Sequence, residues 1–319
     1  MLNTWVFILL VVSITFAALG NIAIILMILY RKTLRNPGNY LLLSLALSDC
    51  LVALFAMPPA LLAYVWEDKW FGGNFFCSVW IFFDVLSCSS SILNLTMICV
   101  DRYQCIVYPL HYLPNRTTKF VLKYIYVAWL ISFGLAVFPS IFGRNYDADK
   151  LSCRIGMGEK YQIFAVVLSF YLPLFCMMIM YFHIYRIAKQ ILKEDNAIPS
   201  CISTPSVSFL NSGINKSQGE NQNTSPKIIK TNTVRIKPRI RWQDWKATIT
   251  LGMIMLAFII CWLPFFTLTL WESISESMAP KPVGKVFLWL GYYNSLLNPI
   301  IYCLLNREFR MNTCVSCKK

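Results

Sequence analysis

Two carboxylates stand where carboxylates are expensive. Asp49 interrupts an apolar run over residues 40–66, and Asp84 interrupts another over 75–100. An acid in lipid costs about 2.5–3.5 kcal/mol on insertion scales, so each is a candidate functional group. Around the depth of Asp49, the run 75–100 offers Ser91, and a later run, 286–305, offers Asn294, Ser295 and Asn298. A carboxylate with amides and hydroxyls is an oxygen set that could cage a small cation such as Na⁺. A hydrated polar knot without an ion uses the same residues, and both readings stay open here. Asp84 lies about two helical turns from the end of its run, and no Lys or Arg stands at comparable depth in any run. A buried carboxylate without a partner is costly, so a ligand could bring the missing counter-charge. Trp262, Phe265, Phe266, Trp289, Tyr292 and Tyr293 fall in the matching halves of the last two runs. A carboxylate in an aromatic cage suits a protonated amine, through ion pairing and cation–π contact. The competing reading is a protonated Asp84 among aromatics that only pack or face lipid.

The elements that must position these groups are apolar runs. Hydrophobic residues make up 57% of the 319-residue chain and charged residues 14%, against about 45–50% and 25% in soluble domains. That excludes disorder and an ordinary soluble domain. A membrane-spanning helix needs roughly 20 apolar residues. Seven runs qualify: 5–30, 40–66, 75–100, 121–142, 161–185, 247–271 and 286–305. The basic flank of the first run follows it, so it reads as a span and not as a cleaved leader. An odd number of spans puts the termini on opposite sides. The region 193–243 is rich in Ser, Thr, Asn, Lys and Pro and reads as a flexible loop. Residues 306–319 form the tail, and the chain is one domain.

The net charge of +14 then has a place. With the N-terminus outside, 22 of the 29 Lys and Arg fall on the inner side and seven outside. That bias sets the orientation, N-terminus out and C-terminus in. Six acids lie inside and seven outside, so the inner face carries +16, the outer face zero, and Asp49 and Asp84 the remaining −2. Such a charge suits anionic lipid and not nucleic acid. His111 and His183 have no metal or triad spacing, and no phosphate loop is present, so nothing points to an enzyme.

With these runs in place, the chain resembles a class A (rhodopsin-like) G protein-coupled receptor. The motifs that carry the likeness are Gly20-Asn21, Leu45-Ala46-Leu47-Ser48-Asp49, Asp101-Arg102-Tyr103 with Pro109-Leu110, Trp129, Pro173, Cys261-Trp262-Leu263-Pro264 and Asn298-Pro299-Ile300-Ile301-Tyr302. They occur in order, one or more per span. Within that family it looks like a biogenic-amine receptor. Asp84 follows Cys77 by seven residues, the spacing of the family's amine-binding acid, and the run from Asp84 and Val85 to Cys88 is similar to dopamine and histamine receptors. So are Trp262-Leu263-Pro264-Phe265-Phe266 and Trp289-Leu290-Gly291-Tyr292-Tyr293-Asn294-Ser295.

The resemblance implies an all-α bundle of seven transmembrane helices with a short amphipathic eighth helix, at the plasma membrane. It implies a ligand site of Asp84, Val85, Cys88, Ser169, Trp262, Phe265, Phe266, Trp289 and Tyr292, with Tyr292 bonded to Asp84. It implies no cofactor beyond an allosteric Na⁺ at Asp49, Ser91, Asn294, Ser295 and Asn298. It pairs Cys77 with Cys153, an entropic stabilisation of about 4–5 kcal/mol, and marks Cys314 and Cys317 for palmitoylation. The switch residues are Asp101, Arg102 and Tyr103, with Asp101 able to pair locally with Arg102 and Asp244 tying Arg102 to helix six. Ile92, Pro173 and Phe258 form the packing switch, and Tyr181 and Tyr302 are the inner tyrosines. Partners follow: a small amine, a heterotrimeric G protein, arrestin, a receptor kinase and membrane lipid.

Two departures narrow the amine. Helix-five positions eight, seven and four residues before Pro173 are Ala165, Val166 and Ser169, so one hydroxyl stands where catecholamine receptors present several. That weakens dopamine and leaves serotonin, histamine and tyramine open. Phe266 replaces the asparagine of muscarinic receptors, which argues against acetylcholine. The alternatives are a receptor for a peptide or other non-amine ligand and, in another class, a transporter or channel.

Overall fold

The computed structural model describes residues 4–67, 69–197, 242–275 and 280–305. They form a bundle of seven long helices. Helix one is Thr4–Tyr30, helix two Pro37–Val65, helix three Gly73–Val107 and helix four Thr118–Phe142. Helix five begins at Glu159 and ends at Ala197, helix six is Trp242–Ser275 and helix seven Lys281–Leu305. The first six are long and apolar enough to cross a membrane by length and composition alone. Helix seven carries Asn294, Ser295 and Asn298 on buried positions, which dilutes its apolar character while serving the interior. The bundle is helical because lipid supplies no partner for backbone N–H and C=O groups. Helices three and five run past the ends of their apolar stretches, to Val107 and Ala197, so Asp101-Arg102-Tyr103 stands on helix.

Two caps start helices. The Asn36 side chain accepts from the Asn39 N–H at 2.9 Å with Pro37 next in line, and Thr117 accepts from the Phe120 N–H at 3.3 Å. That is the usual chemistry of a helix N-terminus. Prolines inside the helices each remove one N–H and free the carbonyl four residues earlier. In two cases a neighbouring helix takes up the freed group. Pro299 frees the Ser295 carbonyl, which accepts from Asn21 Nδ2 of helix one at 2.9 Å. Pro139 frees the Leu135 carbonyl, and the Tyr161 hydroxyl of helix five reaches it at 3.4 Å. Helix two contains a π turn at Val52–Ala56 just before Pro58 and Pro59, and helix five one at Val167–Tyr171 just before Pro173. A π turn moves the hydrogen-bonding register by one residue, so the side chains beyond it rotate.

Helices two and three are the most enclosed. Ser87, Ser90, Ile92, Asn94 and Cys99 of helix three are buried, as are Leu45, Ser48 and Asp49 of helix two. Helices one and four turn apolar side chains outward instead, such as Phe16, Leu19, Tyr126 and Phe133. Ser44 ties three helices together: it donates to Asn94 Oδ1 at 2.8 Å and accepts from Trp129 Nε1 at 2.9 Å.

Two small elements complete the ends. A helix at Pro109–Asn115 fills the loop after helix three. At the opposite end, β1 (Tyr146–Asp147) pairs antiparallel with β2 (Ser152–Cys153), with Tyr146 opposite Cys153. The Cys77–Cys153 disulfide is formed, with Cα atoms 5.7 Å apart, and pins this hairpin to the start of helix three. The proposed loop 193–243 lies almost wholly outside the described residues, as do the eighth helix, Cys314 and Cys317.

Candidate functional site

At the disulfide end, Asp84 projects from helix three. Its Oδ1 accepts from the Tyr292 hydroxyl of helix seven at 2.8 Å, and the Cys88 thiol one turn below lies 3.7 Å from the same oxygen. Tyr292 is fully buried, and Trp289 meets it edge to face at 5.8 Å. Asp84, Val85 and Cys88 are half-buried on one face of helix three.

The helix-six aromatics form a layer. Trp262 lies 5.5 Å from Phe266 and 6.1 Å from Phe265, and those two meet edge to face at 5.3 Å. Trp262 also presses on helix seven at Gly291, where a Cβ would stand 2.7 Å from two indole carbons. Only glycine permits that approach. Ser169 is buried in the π turn of helix five. Its neighbour Phe170, absent from the sequence-based site, is the better-connected residue. It is fully buried, stacks on Phe266 at 4.3 Å and 14°, and reaches Phe258 at 5.6 Å. Matching hydroxyl positions on helix five passes over it; the signal available was an aromatic three residues before Pro173.

Above Trp289, a cavity of about 130 Å³ opens toward the disulfide end, lined by Tyr64, Trp80, Lys285 and Trp289 among others. Lys285 Nζ stands 4.6 Å over the Tyr64 ring. Neither Tyr64, Trp80 nor Lys285 was a sequence candidate.

Midway through the bundle, Asp49 is fully buried and collects three neutral donors. Ser91 and Ser295 donate to Oδ1 at 2.9 Å each, and Asn298 Nδ2 donates to Oδ2 at 2.8 Å. The carboxylate thereby links helices two, three and seven. Asn294, the buried neighbour of Ser295 in sequence, has no hydrogen-bond partner among the described residues at either side-chain atom, and Asn298 Oδ1 has none there. These oxygens, with the serine hydroxyls and the carboxylate, make a set that fits a small hard cation. Among the described residues, no group of three or more His, Cys, Asp or Glu could hold a metal ion.

Of the switch residues, Ile92, Pro173 and Phe258 are all buried. Tyr302 is buried with its hydroxyl unbonded, and Tyr103 lies edge-on to His183 at 6.3 Å. Tyr181 packs against Gly252 of helix six. The local Asp101–Arg102 pair is loose, 3.9 Å from Nε to Oδ2. The close partners of Asp101 come from the loop beyond. Arg116 grips both oxygens, Nε to Oδ1 at 2.7 Å and Nη2 to Oδ2 at 2.6 Å, and Tyr112 donates to Oδ1 at 2.9 Å. Burial, then the adjacent Asp101, push the Tyr112 phenol above its usual range. Asp244 falls in the first turn of helix six, and its side chain lies outside what is described.

The chain is similar to known proteins over most of its length. The family "7 transmembrane receptor (rhodopsin family)" matches residues 20–302. The 5-hydroxytryptamine receptor 1 of Drosophila melanogaster is 37% identical over 326 residues, covering 88% of this chain and 58% of that one. The 5-hydroxytryptamine receptor 7 of Xenopus laevis is 34% identical, covering 92% and 72%. The histamine H2 receptor of Cavia porcellus is 33% identical, covering 95% and 76%. The chain therefore spans a little over half of the Drosophila relative and about three quarters of the other two.

Proposed function

The chain belongs to the rhodopsin family of seven-transmembrane receptors, and on that premise we propose that it binds a protonated biogenic amine and signals to a heterotrimeric G protein. Members of this family are receptors and not enzymes. The observation that carries the amine reading is Asp84: among the described residues it has one strong donor, Tyr292, a weak one, Cys88, and no Lys or Arg paired with it. An ammonium group would pair with its carboxylate while Trp262, Phe265, Phe266 and Trp289 enclose the organic body. The names of the relatives, which bind 5-hydroxytryptamine and histamine, support the same class. A lone hydroxyl at Ser169 favours serotonin, histamine or tyramine over dopamine.

The signal would travel as a population shift. Amine at Asp84 bears on Trp262, which touches helix seven at Gly291 and Phe266, itself stacked on Phe170 of helix five. Those contacts favour a state with helix six swung outward, and Arg102 is then presented to the G protein. Na⁺ held by Asp49, Ser91, Asn294, Ser295 and Asn298 would favour the resting state. The 22-to-7 split of basic residues puts the disulfide end outside the cell and the C-terminus inside, at the plasma membrane. Arrestin and a receptor kinase would engage the inner face, and palmitate at Cys314 and Cys317 would anchor the tail.

The test is a panel of serotonin, histamine, tyramine and dopamine on cell membranes bearing the wild-type chain or Asp84→Asn. Removing one partner of a buried pair costs about 3–5 kcal/mol, so affinity for the active amine should fall at least a hundredfold while surface expression persists. Unchanged affinity in Asp84→Asn, or no response to any amine, would overturn the amine reading.

A further inference from the structure

The inner end of the bundle holds one carboxylate between two guanidinium groups. Asp101 is 1% exposed at its side chain, Arg116 16% and Arg102 35%. Arg116 binds it through a two-point fork, the stronger and geometrically stricter form of this contact. Arg102, its neighbour in sequence, touches it at 3.9 Å through a single nitrogen. The carboxylate is thus already served from the loop when Arg102 approaches.

Local structure makes this possible. Pro109 begins the loop helix, which places Tyr112 and Arg116 one turn apart and brings both back to Asp101. Arg116 follows the last residue of that helix and precedes the Thr117 cap of helix four, so its backbone is held from both sides. Helix two completes the arrangement. At Gly38, in its first turn, a Cβ would stand 2.5 Å from Arg116 Nη2 and 3.0 Å from Arg102 Nη2. Both guanidinium groups occupy space that any other residue at position 38 would fill.

We propose that Arg116 is a positioning residue that holds Asp101 and so keeps Arg102 only loosely restrained. The inference rests on the reading of Arg102 as the group presented to the G protein. Without Arg116, a buried carboxylate is left, among the described residues, with one phenol donor and one cation, Arg102. An unpaired buried charge is costly, so Asp101 would draw Arg102 in. Arg102 would then be withheld from its partner. Neutralising Asp101 has the opposite consequence, because Arg102 then loses the carboxylate that holds it among the described residues. The two partners of one ion pair should therefore move signalling in opposite directions.

Basal nucleotide exchange on G protein in membranes, with no amine added, reads this directly. Asp101→Asn should raise it and Arg116→Ala should lower it, each by about fivefold, the low end of ordinary coupling between sites. Arg116→Lys, which keeps the charge and loses the fork, should fall between Arg116→Ala and wild type. In the Asp101→Asn background, Arg116→Ala should change nothing further, since its route runs through Asp101. Gly38→Ala provides a second variant: its methyl meets the side-chain ends of Arg116 and Arg102 and not backbone. It should lower basal exchange as Arg116→Ala does, with a drop in melting temperature no larger than that of Arg116→Ala. A thermal cycle in detergent reads the pair without any G protein, and the double variant should lose less than the sum of the two singles.

A rise in basal exchange with Arg116→Ala, additive effects in the double variant, or additive melting shifts would overturn the proposal. An intact basal series in a receptor that answers no amine would leave it standing and sink the amine reading instead.

Discussion

Tyr292→Phe isolates one hydrogen bond at the proposed ligand acid. The phenol donates to Asp84 Oδ1 at 2.8 Å, and among the described residues the other hydrogen bond on that oxygen is from the weak Cys88 thiol donor at 3.7 Å. Phenylalanine keeps the ring, so the edge-to-face contact with Trp289 at 5.8 Å survives and the fold should hold. A hydrogen bond to a charged group contributes about 1.5–3 kcal/mol. At about 1.4 kcal/mol per tenfold, its full loss would cost between roughly tenfold and a hundred-and-fiftyfold in amine affinity. The lower figure is expected. Asp84 keeps its charge and the ammonium still pairs with it; what is lost is the bond that aims the carboxylate across the pocket. Competition binding on membranes with the active amine, for wild type, Tyr292→Phe, Asp84→Asn and the double variant, gives the answer. The double variant should match Asp84→Asn, because the phenol then has no carboxylate to orient. A change below twofold in Tyr292→Phe would refute the reasoning, as would a double variant that loses a further tenfold.

Two more outcomes follow from the same interior. Replacing NaCl by an organic cation salt should alter agonist affinity in the wild type by about fivefold, and Asp49→Asn should abolish that dependence; a variant that still answers Na⁺ would exclude Asp49 as the ion's ligand. Gly291→Ala places a methyl 2.7 Å from the Trp262 ring, which is 2% exposed and flanked by Phe265 and Phe266; overpacking of about 1–3 kcal/mol should lower the melting temperature by several degrees, and an unshifted temperature would show that the indole has room to retreat.

Much of the fold was legible because lipid leaves few choices. An apolar run of more than 20 residues must be a helix there, and each of the seven runs coincides with one. Helix ends were less legible, since helices three and five continue on polar residues that no hydropathy window includes. The π turns at Val52–Ala56 and Val167–Tyr171 are invisible to periodicity, although Pro58, Pro59 and Pro173 mark where backbone donors are missing. They matter because the second one sets the facing of Ser169 and Phe170. Among site residues, Asp49 and Asp84 stood out as charges in apolar runs. Arg116 did not: in the sequence it is one more basic residue in a basic loop, and only the Pro109–Asn115 helix turns it back onto Asp101. Phe170 and Trp80 were hidden for the reverse reason, as aromatics among the 48 Phe, Trp and Tyr of the chain.

Asp101, Asp49 and the half-buried Asp84 differ chiefly in how they are served, and that difference argues for their separate roles. Asp101 has more cation than it needs, two arginines for one carboxylate. Small changes in the loop can therefore decide which arginine it keeps. Asp49 has three neutral donors from two other helices and no cation. Such a site is satisfied enough to persist on its own and still negative enough to attract a small ion. Asp84 has one strong donor, Tyr292, whose ring in turn meets Trp289. It is the least satisfied of the three and the nearest to the disulfide end, where a molecule can enter. A cation arriving from that side relieves more at Asp84 than at either deeper acid. The proposed ligand site, ion site and switch would thus use the same residue type, set apart by the count and charge of its donors.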